Sequence, residues 1–310
     1  MLDPSDAFPG NLQATRPADG DRRSQSDAMQ TLLTQGSIEL TTNGREAIER
    51  AERHLPPCTR VYVPKMPRES LEDKLVQIAL LSELGLQPVP HLVARQIRSD
   101  AQLRGFLRKA VLNHGVRRVL LIGGDQQEAG PYPDSAALLG SGLLGEAGLD
   151  EVDVAGYPDG HPLIPEDILW SDLQLKRELA AQQGLKLSLV TQFSFSPAGI
   201  AEWCCKVAGR APGTPVYAGI AGPTSPRQLL RYARICGVST SLKAVNTLGL
   251  NAVKLAVHAR PERQLAVLAR QWAGGQAGAL AGLHVFSFGG FVESAAWIDR
   301  QLRASGIQTR

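Results

Sequence analysis

Residues 186–220 read KLSLVTQFSFSPAGIAEWCCKVAGRAPGTPVYAGI, and they decide the fold. KLSLVTQ (186–192) and TPVYAGI (214–220) are short apolar, β-branched runs of the kind that form buried strands. The AEWCCKV stretch between them reads as helix. Strand, helix and strand in that order are the repeating unit of α/β architecture.

Outward from this unit the pattern recurs. Upstream lie SIELT (37–41), RVYVP (60–64), LQPVPHL (86–92), RRVLLIG (117–123) and VDVAGY (152–157); downstream lies GLHVFSF (282–288). Between them, 44–55, 70–85 and 100–115 carry apolar residues at spacings of three and four, as amphipathic helices do. Gly85, Gly115, Gly148 and Gly184 are placed as helix C-caps, and Asp100 as an N-cap. Eight strands alternating with helices predict a (β/α)₈ TIM barrel over 36–310, with an extra helical segment at 240–260 before the last strand. A doubly wound sheet is the competing fold, but TTNGREA after the first strand contains no G-x-G-x-x-G. Residues 1–35, rich in Pro, Asp, Ser and Gln, read as a flexible arm, ordered if at all near its end.

The totals exclude several classes of function. With 310 residues, 43% hydrophobic, and a net charge of +3, the chain has no basic block to suggest a nucleic-acid partner. No apolar run approaches the roughly 20 residues that span a bilayer. Cys58, Cys204, Cys205 and Cys236 form no C-x-x-C pair and have no zinc-ligand spacing, so no metal is expected. Reduced, partly buried thiols suit a cytoplasmic protein.

In a barrel the βα loops converge at the C-terminal ends of the strands, so chemistry is sought there. Glu39, His91, Gly123-Gly124-Asp125, Tyr157 with His161, and Thr191-Gln192-Phe193 stand at those ends. Each has a plain alternative: Glu39 facing solvent, Asp125 capping a turn, His91 hydrogen-bonded in the structure, Gln192 serving loop carbonyls. Together they offer carboxylates, an amide and aromatic rings but few cations, a set suited to a flat, hydrogen-bonding ring system. In AGYPDGHP the turn needs its prolines and its glycine, but not Tyr157 or His161.

The order of these pieces resembles the methylenetetrahydrofolate reductase family. The matching stretches are SIEL (37–40), PHL (90–92), GGD (123–125), AGYPDGHP (155–162), LKRE (175–178), VTQFSF (190–195), GI (219–220) and GLHVFSF (282–288). The resemblance implies a barrel that binds FAD at its C-terminal rim and interconverts 5,10-methylene- and 5-methyltetrahydrofolate by hydride transfer, in one-carbon metabolism. It implies that Glu39 is the general acid that protonates N10 of the folate, for which its carboxyl group must stay protonated near neutral pH. It gives Asp125 a role beside flavin and pterin, and Gln192 and Phe193 a role at the substrate. It gives His91, Gly124, Asp125, Tyr132, Ala155, Tyr157, His161, Gln174 and Arg177 to FAD. NADH or NADPH is the implied electron donor and a homo-oligomer the implied assembly.

The chain also departs from that pattern. Gly123 stands where the family has an arginine, Glu178 where it has a lysine, Ser171 where it has an aspartate, and Gly289-Gly290 where it has Asn-Arg. An aromatic that follows strand seven in the family is replaced near Pro226. Two lost cations weaken a diphosphate site unless Lys176, Arg177 or another group compensates. The departures near the nicotinamide leave open whether the direction is reduction or oxidation. Two other readings compete: a non-catalytic folate- or flavin-binding paralogue acting as an accessory subunit, and an aldolase-like barrel using Lys65 as a Schiff-base lysine.

Overall fold

Strand after strand, the side chains alternate between two interiors. The computed structural model describes residues 19–42, 44–64, 70–126, 129–235 and 260–306. Among them run β1 (Ser37–Glu39), β2 (Arg60–Val63), β3 (Gln87–Val93), β4 (Arg118–Ile122), β5 (Glu151–Gly156), β6 (Lys186–Thr191), β7 (Val216–Ala221) and β8 (Leu280–Phe286). All neighbours pair in parallel, and β8 closes on β1 to complete the barrel. The predicted strands are found within a few residues of these bounds. Of the expected segment at 240–260 only Arg260 is described, and Lys65 and Cys236 lie outside the described residues.

The helices are α1 (Asp19–Thr34), α2 (Arg45–Glu52), α3 (Leu71–Glu83), α4 (Asp100–His114), α5 (Ser135–Gly140), α6 (Leu143–Glu146), α7 (Glu166–Gln182), α8 (Pro197–Arg210), α9 (Pro226–Ile235), α10 (Pro261–Ala273) and α11 (Phe291–Ala304). Gly85, Gly115, Gly148 and Gly184 all have positive φ, as the C-cap reading required. The N-cap of α4 is Ser99, whose hydroxyl accepts from the Gln102 amide; Asp100 is the first helical residue instead. A serine in extended backbone caps well, and the acid then faces the helix dipole favourably. The second half of the segment read as an arm is helical: α1 buries Ala28, Leu32 and Leu33 against α10, α11 and β8. No helix among the described residues is long and apolar enough to cross a membrane.

Outward-facing residues such as Val152, Val154, Leu283 and Val285 pack under the helices in the main core. Inward-facing Tyr62, Val89, Leu120, Val190 and Tyr217 fill the barrel. Below them a polar plug is fully satisfied. Asp153, wholly buried, accepts from Tyr62 Oη at 2.6 Å, Arg118 at 2.8 Å and Ser188 Oγ. Burial, then the Asp153 carboxylate, push the Tyr62 phenol well above its ordinary value, so it stays a neutral donor. Beneath the plug the N-terminal end opens into a cavity of about 570 Å³ lined by Arg60, Arg117, Arg118, Asp150, Glu151 and Tyr217, and a second cavity of about 460 Å³ lies on the flank beside β5.

Candidate active site

Three strands bring one carboxylate and two imidazoles together at the barrel mouth. Glu39 ends β1, His91 lies in β3 and His284 in β8, all on the inward face. Glu39 Oε2 lies 3.7 Å from His284 Nε2 and 4.0 Å from His91 Nε2. Both Nε2 atoms are buried and make no hydrogen bond. The other nitrogen of His284 meets Ser37 Oγ at 2.8 Å. When Ser37 donates there, the proton of His284 sits on Nε2 and faces Glu39. Burial, then the charge of Lys74, hold His91 well below the usual imidazole value, so it is neutral at pH 7. The Tyr62 ring lies beneath, edge-on to both imidazoles at 4.6 and 6.0 Å.

The backbone of Glu39 is also fixed. Ser287 Oγ donates to its carbonyl at 2.7 Å and meets Thr41 Oγ1 at 2.8 Å, while the Gly289 amide donates to Thr41 at 3.1 Å. The end of β1 is therefore laced to the loop after β8. His284, Ser37 and Ser287 were not among the residues expected from the sequence. The alternation in GLHVFSF carried the signal for two of the β8 side chains, since His284 and Phe286 lie two apart and face the lumen together.

An aromatic wall rises from this floor. Phe286 packs edge-on to His284 at 4.6 Å and stacks towards Phe288 at 5.8 Å; Phe193 meets both, at 5.8 and 4.9 Å. Tyr232 stacks on Phe288 at 4.7 Å. Gly219 makes room: a Cβ there would come 2.7 Å from the Phe286 ring and 2.4 Å from the Thr191 carbonyl. Phe288 has φ of +44°, a conformation that strains a bulky residue, and the wall holds it there. Phe193 is thus a buried member of the wall, and Gln192 turns its Oε1 back to the Phe193 amide at 3.1 Å.

The other expected residues fall into separate groups. Gly124, with φ of +92°, and Asp125 lie exposed on the loop after β4. That loop is pinned by Arg95, whose guanidinium donates to the carbonyls of Gln126 and Pro133. Tyr132 lies in the main core and donates to Asp100 at 2.7 Å; burial, then Asp100, raise its phenol to about 12. Gln174 and Arg177 bond each other on an exposed face of α7, with Arg177 also reaching the Pro212 carbonyl before β7. The remaining three, Ala155, Tyr157 and His161, line a cavity of about 460 Å³ between the end of β5, α7 and α8. Tyr157 and His161 meet edge to face at 4.9 Å. Burial, then Asp172, raise the Tyr157 phenol, and burial lowers the His161 imidazole. Among the described residues no group of His, Cys, Asp and Glu is arranged to hold a metal ion.

Comparison with known proteins agrees with the motif order. The family model described as methylenetetrahydrofolate reductase matches residues 43–250. An uncharacterized protein from Clostridium thermocellum that binds two copies of 5-methyl-5,6,7,8-tetrahydrofolic acid has a similar fold, with a TM-score of 0.56 at 11% identity, over 88% of this chain and 94% of that one. Deoxyribose phosphate aldolase from Aeropyrum pernix is matched at a TM-score of 0.45 and 14% identity, over 90% of this chain and 97% of that one.

Proposed function

The chain belongs to the methylenetetrahydrofolate reductase family, and on that premise we propose that it is a flavin-dependent oxidoreductase interconverting 5,10-methylene- and 5-methyltetrahydrofolate. The observation that carries this reading is the Glu39 carboxylate, fixed at the mouth between two buried imidazole edges. A similarly folded protein that binds 5-methyltetrahydrofolate adds support for a folate as substrate.

The residues present suit FAD at its ring systems. The Tyr157 hydroxyl makes no hydrogen bond among the described residues, and the cavity it lines is open to a planar guest. For the diphosphate, Arg95 offers a fixed cation at the rim, beside the position where Gly123 brings none. When bound, FAD supplies a hydride carrier. The chain's own residues do the rest. Glu39 gives a proton to N10, the C–N10 bond of the imidazolidine ring breaks, and a 5-iminium carbon is exposed. His284, with Nδ1 on Ser37, lies with Nε2 3.7 Å from the carboxylate, where a proton on Nε2 favours the charged form of Glu39 once it has given up its own. Neutral His91 adds no charge that would repel the iminium. The wall of Phe193, Phe286 and Phe288 excludes water on one side of the mouth. Asp125, on its exposed loop, is the second carboxylate that meets the pterin, with Gln192.

The test is an anaerobic spectrum of the FAD-loaded protein mixed with 5-methyltetrahydrofolate, then separately with NADH or NADPH. Bleaching of the flavin by the folate is expected. Bleaching by the nicotinamide as well supports the reductase direction, and folate without nicotinamide points to another electron partner. A flavin that the folate never reduces, and that 5,10-methylenetetrahydrofolate never reoxidises, overturns the proposal in favour of an accessory, non-catalytic paralogue.

A further inference from the structure

The N-terminal end of the barrel holds a cavity of its own, with the plug of Tyr62, Asp153 and Arg118 between it and Glu39. Protein interiors leave few voids larger than a water molecule, whereas small-molecule sites run to several hundred Å³, and this cavity has about 570 Å³. Three guanidiniums line it, and their pairings differ. Arg118 is 14% exposed and fully committed: Glu151 takes one arm, and Asp153 with Ser188 Oγ takes the other. Arg117 lies out at the surface, 3.8 Å from Asp150. Arg60 has no carboxylate within 4 Å among the described residues. Its Nη2 donates to the Gln35 and Gly36 carbonyls, while Nη1 and Nε donate to nothing there. A guanidinium recessed in a cavity without a counter-charge is the arrangement that recognises an oxyanion.

Tyr217 supplies an independent sign. It is 8% exposed and lines the cavity, with Arg60 lying over its ring at 4.1 Å and Arg118 at 5.7 Å. Buried tyrosines find partners for their hydroxyls, as Tyr62 does with Asp153. The Tyr217 hydroxyl has no hydrogen-bond partner among the described residues. The cation–π contact therefore holds the uncompensated guanidinium beside a phenol that still needs a partner.

The wall limits the charge of the guest. Asp150 and Glu151 also line the cavity, each beside an arginine, so Arg60 is the cation left over. One negative charge balances it, and a second meets the two carboxylates. A carboxylate is planar, matches the fork of a guanidinium and can accept from a phenol as well. A phosphate dianion matches these partners less well.

We propose that this cavity is a binding site for a small organic monocarboxylate, its oxygens held by Arg60 and the Tyr217 hydroxyl. The site rests on the cavity alone and is independent of the folate chemistry proposed above.

The test uses the full chain with acetate as the probe, above neutral pH, and saturation-transfer NMR that reads the acetate methyl group while chloride holds the ionic strength. Saturable binding is expected, with inorganic phosphate a weaker competitor than acetate itself. Tyr217→Phe keeps the ring beside Arg60 and removes only an unpartnered hydroxyl. It should melt as the parent does and raise the acetate dissociation constant about threefold to tenfold, the loss of one hydrogen bond. Arg60→Gln should raise it about tenfold or more, the loss of a charged partner. Should Arg60→Gln fail to fold because it releases the Gln35 and Gly36 carbonyls, Tyr217→Phe decides alone. No saturable acetate signal, or a signal that neither variant changes, refutes the site. Phosphate that binds more tightly than acetate, and is weakened by the same variants, overturns the carboxylate class.

Discussion

Glu39→Gln separates the proton from the geometry. The Glu39 side chain is 17% exposed, with Oε2 at 3.7 and 4.0 Å from the two imidazoles. Glutamine has the same size. Its oxygen can accept from one imidazole and its amide can donate to the other, since a neutral histidine is donor at one nitrogen and acceptor at the other. No cavity opens and no buried group loses its neighbour, so unfolding free energy should shift by less than about 1 kcal/mol. Proton donation is lost entirely. General acid catalysis is worth about 10²–10⁴ in rate, or about 3–5 kcal/mol of barrier. In anaerobic stopped flow, reoxidation of the reduced flavoprotein by 5,10-methylenetetrahydrofolate should slow by that factor. Reduction of the oxidised flavoprotein by 5-methyltetrahydrofolate should suffer far less, because hydride leaves the methyl group before N10 closes and sheds its proton. A variant that melts normally and reduces methylenetetrahydrofolate within about threefold of the parent would refute the acid role. Equal loss in both directions would show that Glu39 positions the substrate instead.

Three further outcomes follow from the same structure. His91 is neutral when folded, so the unfolded chain takes up a proton near pH 6.5 that the folded chain refuses; stability present above that pH should fall below it by up to about 1.4 kcal/mol per pH unit. His91→Gln should flatten that part of the acid slope in urea unfolding, and an unchanged slope would count against a buried neutral imidazole. Gly219→Ala should cost about 1–3 kcal/mol and disturb the near-ultraviolet dichroism of the wall, because its methyl meets the Thr191 carbonyl and the Phe286 ring; a parental melting curve would contradict that packing. Asp153→Ala should destabilise by about 2–4 kcal/mol, since it removes the buried acceptor shared by Tyr62, Ser188 and one arm of Arg118 while Arg118 keeps its pairing with Glu151, and a loss below about 1 kcal/mol would show the plug to be dispensable.

The strands were legible because the sequence punctuates them twice over: β-branched runs mark each one, and glycines end the helices between. Gly85, Gly115, Gly148 and Gly184 have no Cβ to resist positive φ, and that property can be seen in one dimension. Glu39 and His91 were legible as residues at strand ends. Their meeting was not, because it depends on β8 closing beside β1, and nothing local announces which strands become neighbours. His284 was missed for that reason: it looks like one more residue in an apolar strand until Ser37 and Glu39 arrive from the far end of the described chain. α1 falls in the end of the arm, where the sequence allowed order, but composition hid its packing. Its sixteen residues are polar on average, yet Ala28, Leu32 and Leu33 lie on the face that α10 and α11 cover.

The end of β5 shows why one short motif carries so much. Alternation along the strand sends Val154 under the helices and Asp153 into the barrel, where it joins the plug. Past Gly156 the strand stops, Gly160 turns the chain at φ of +77°, and Pro158 and Pro162 limit the backbone between Tyr157 and His161. Those two rings are thereby committed to the flank, facing the two indoles of Trp170 and Trp203 across the cavity, while the carboxylate–imidazole cluster is confined to β1, β3 and β8. The loop after β4 is held by the Arg95 guanidinium, which donates to the Gln126 and Pro133 carbonyls, and Gly123 adds no side chain to it.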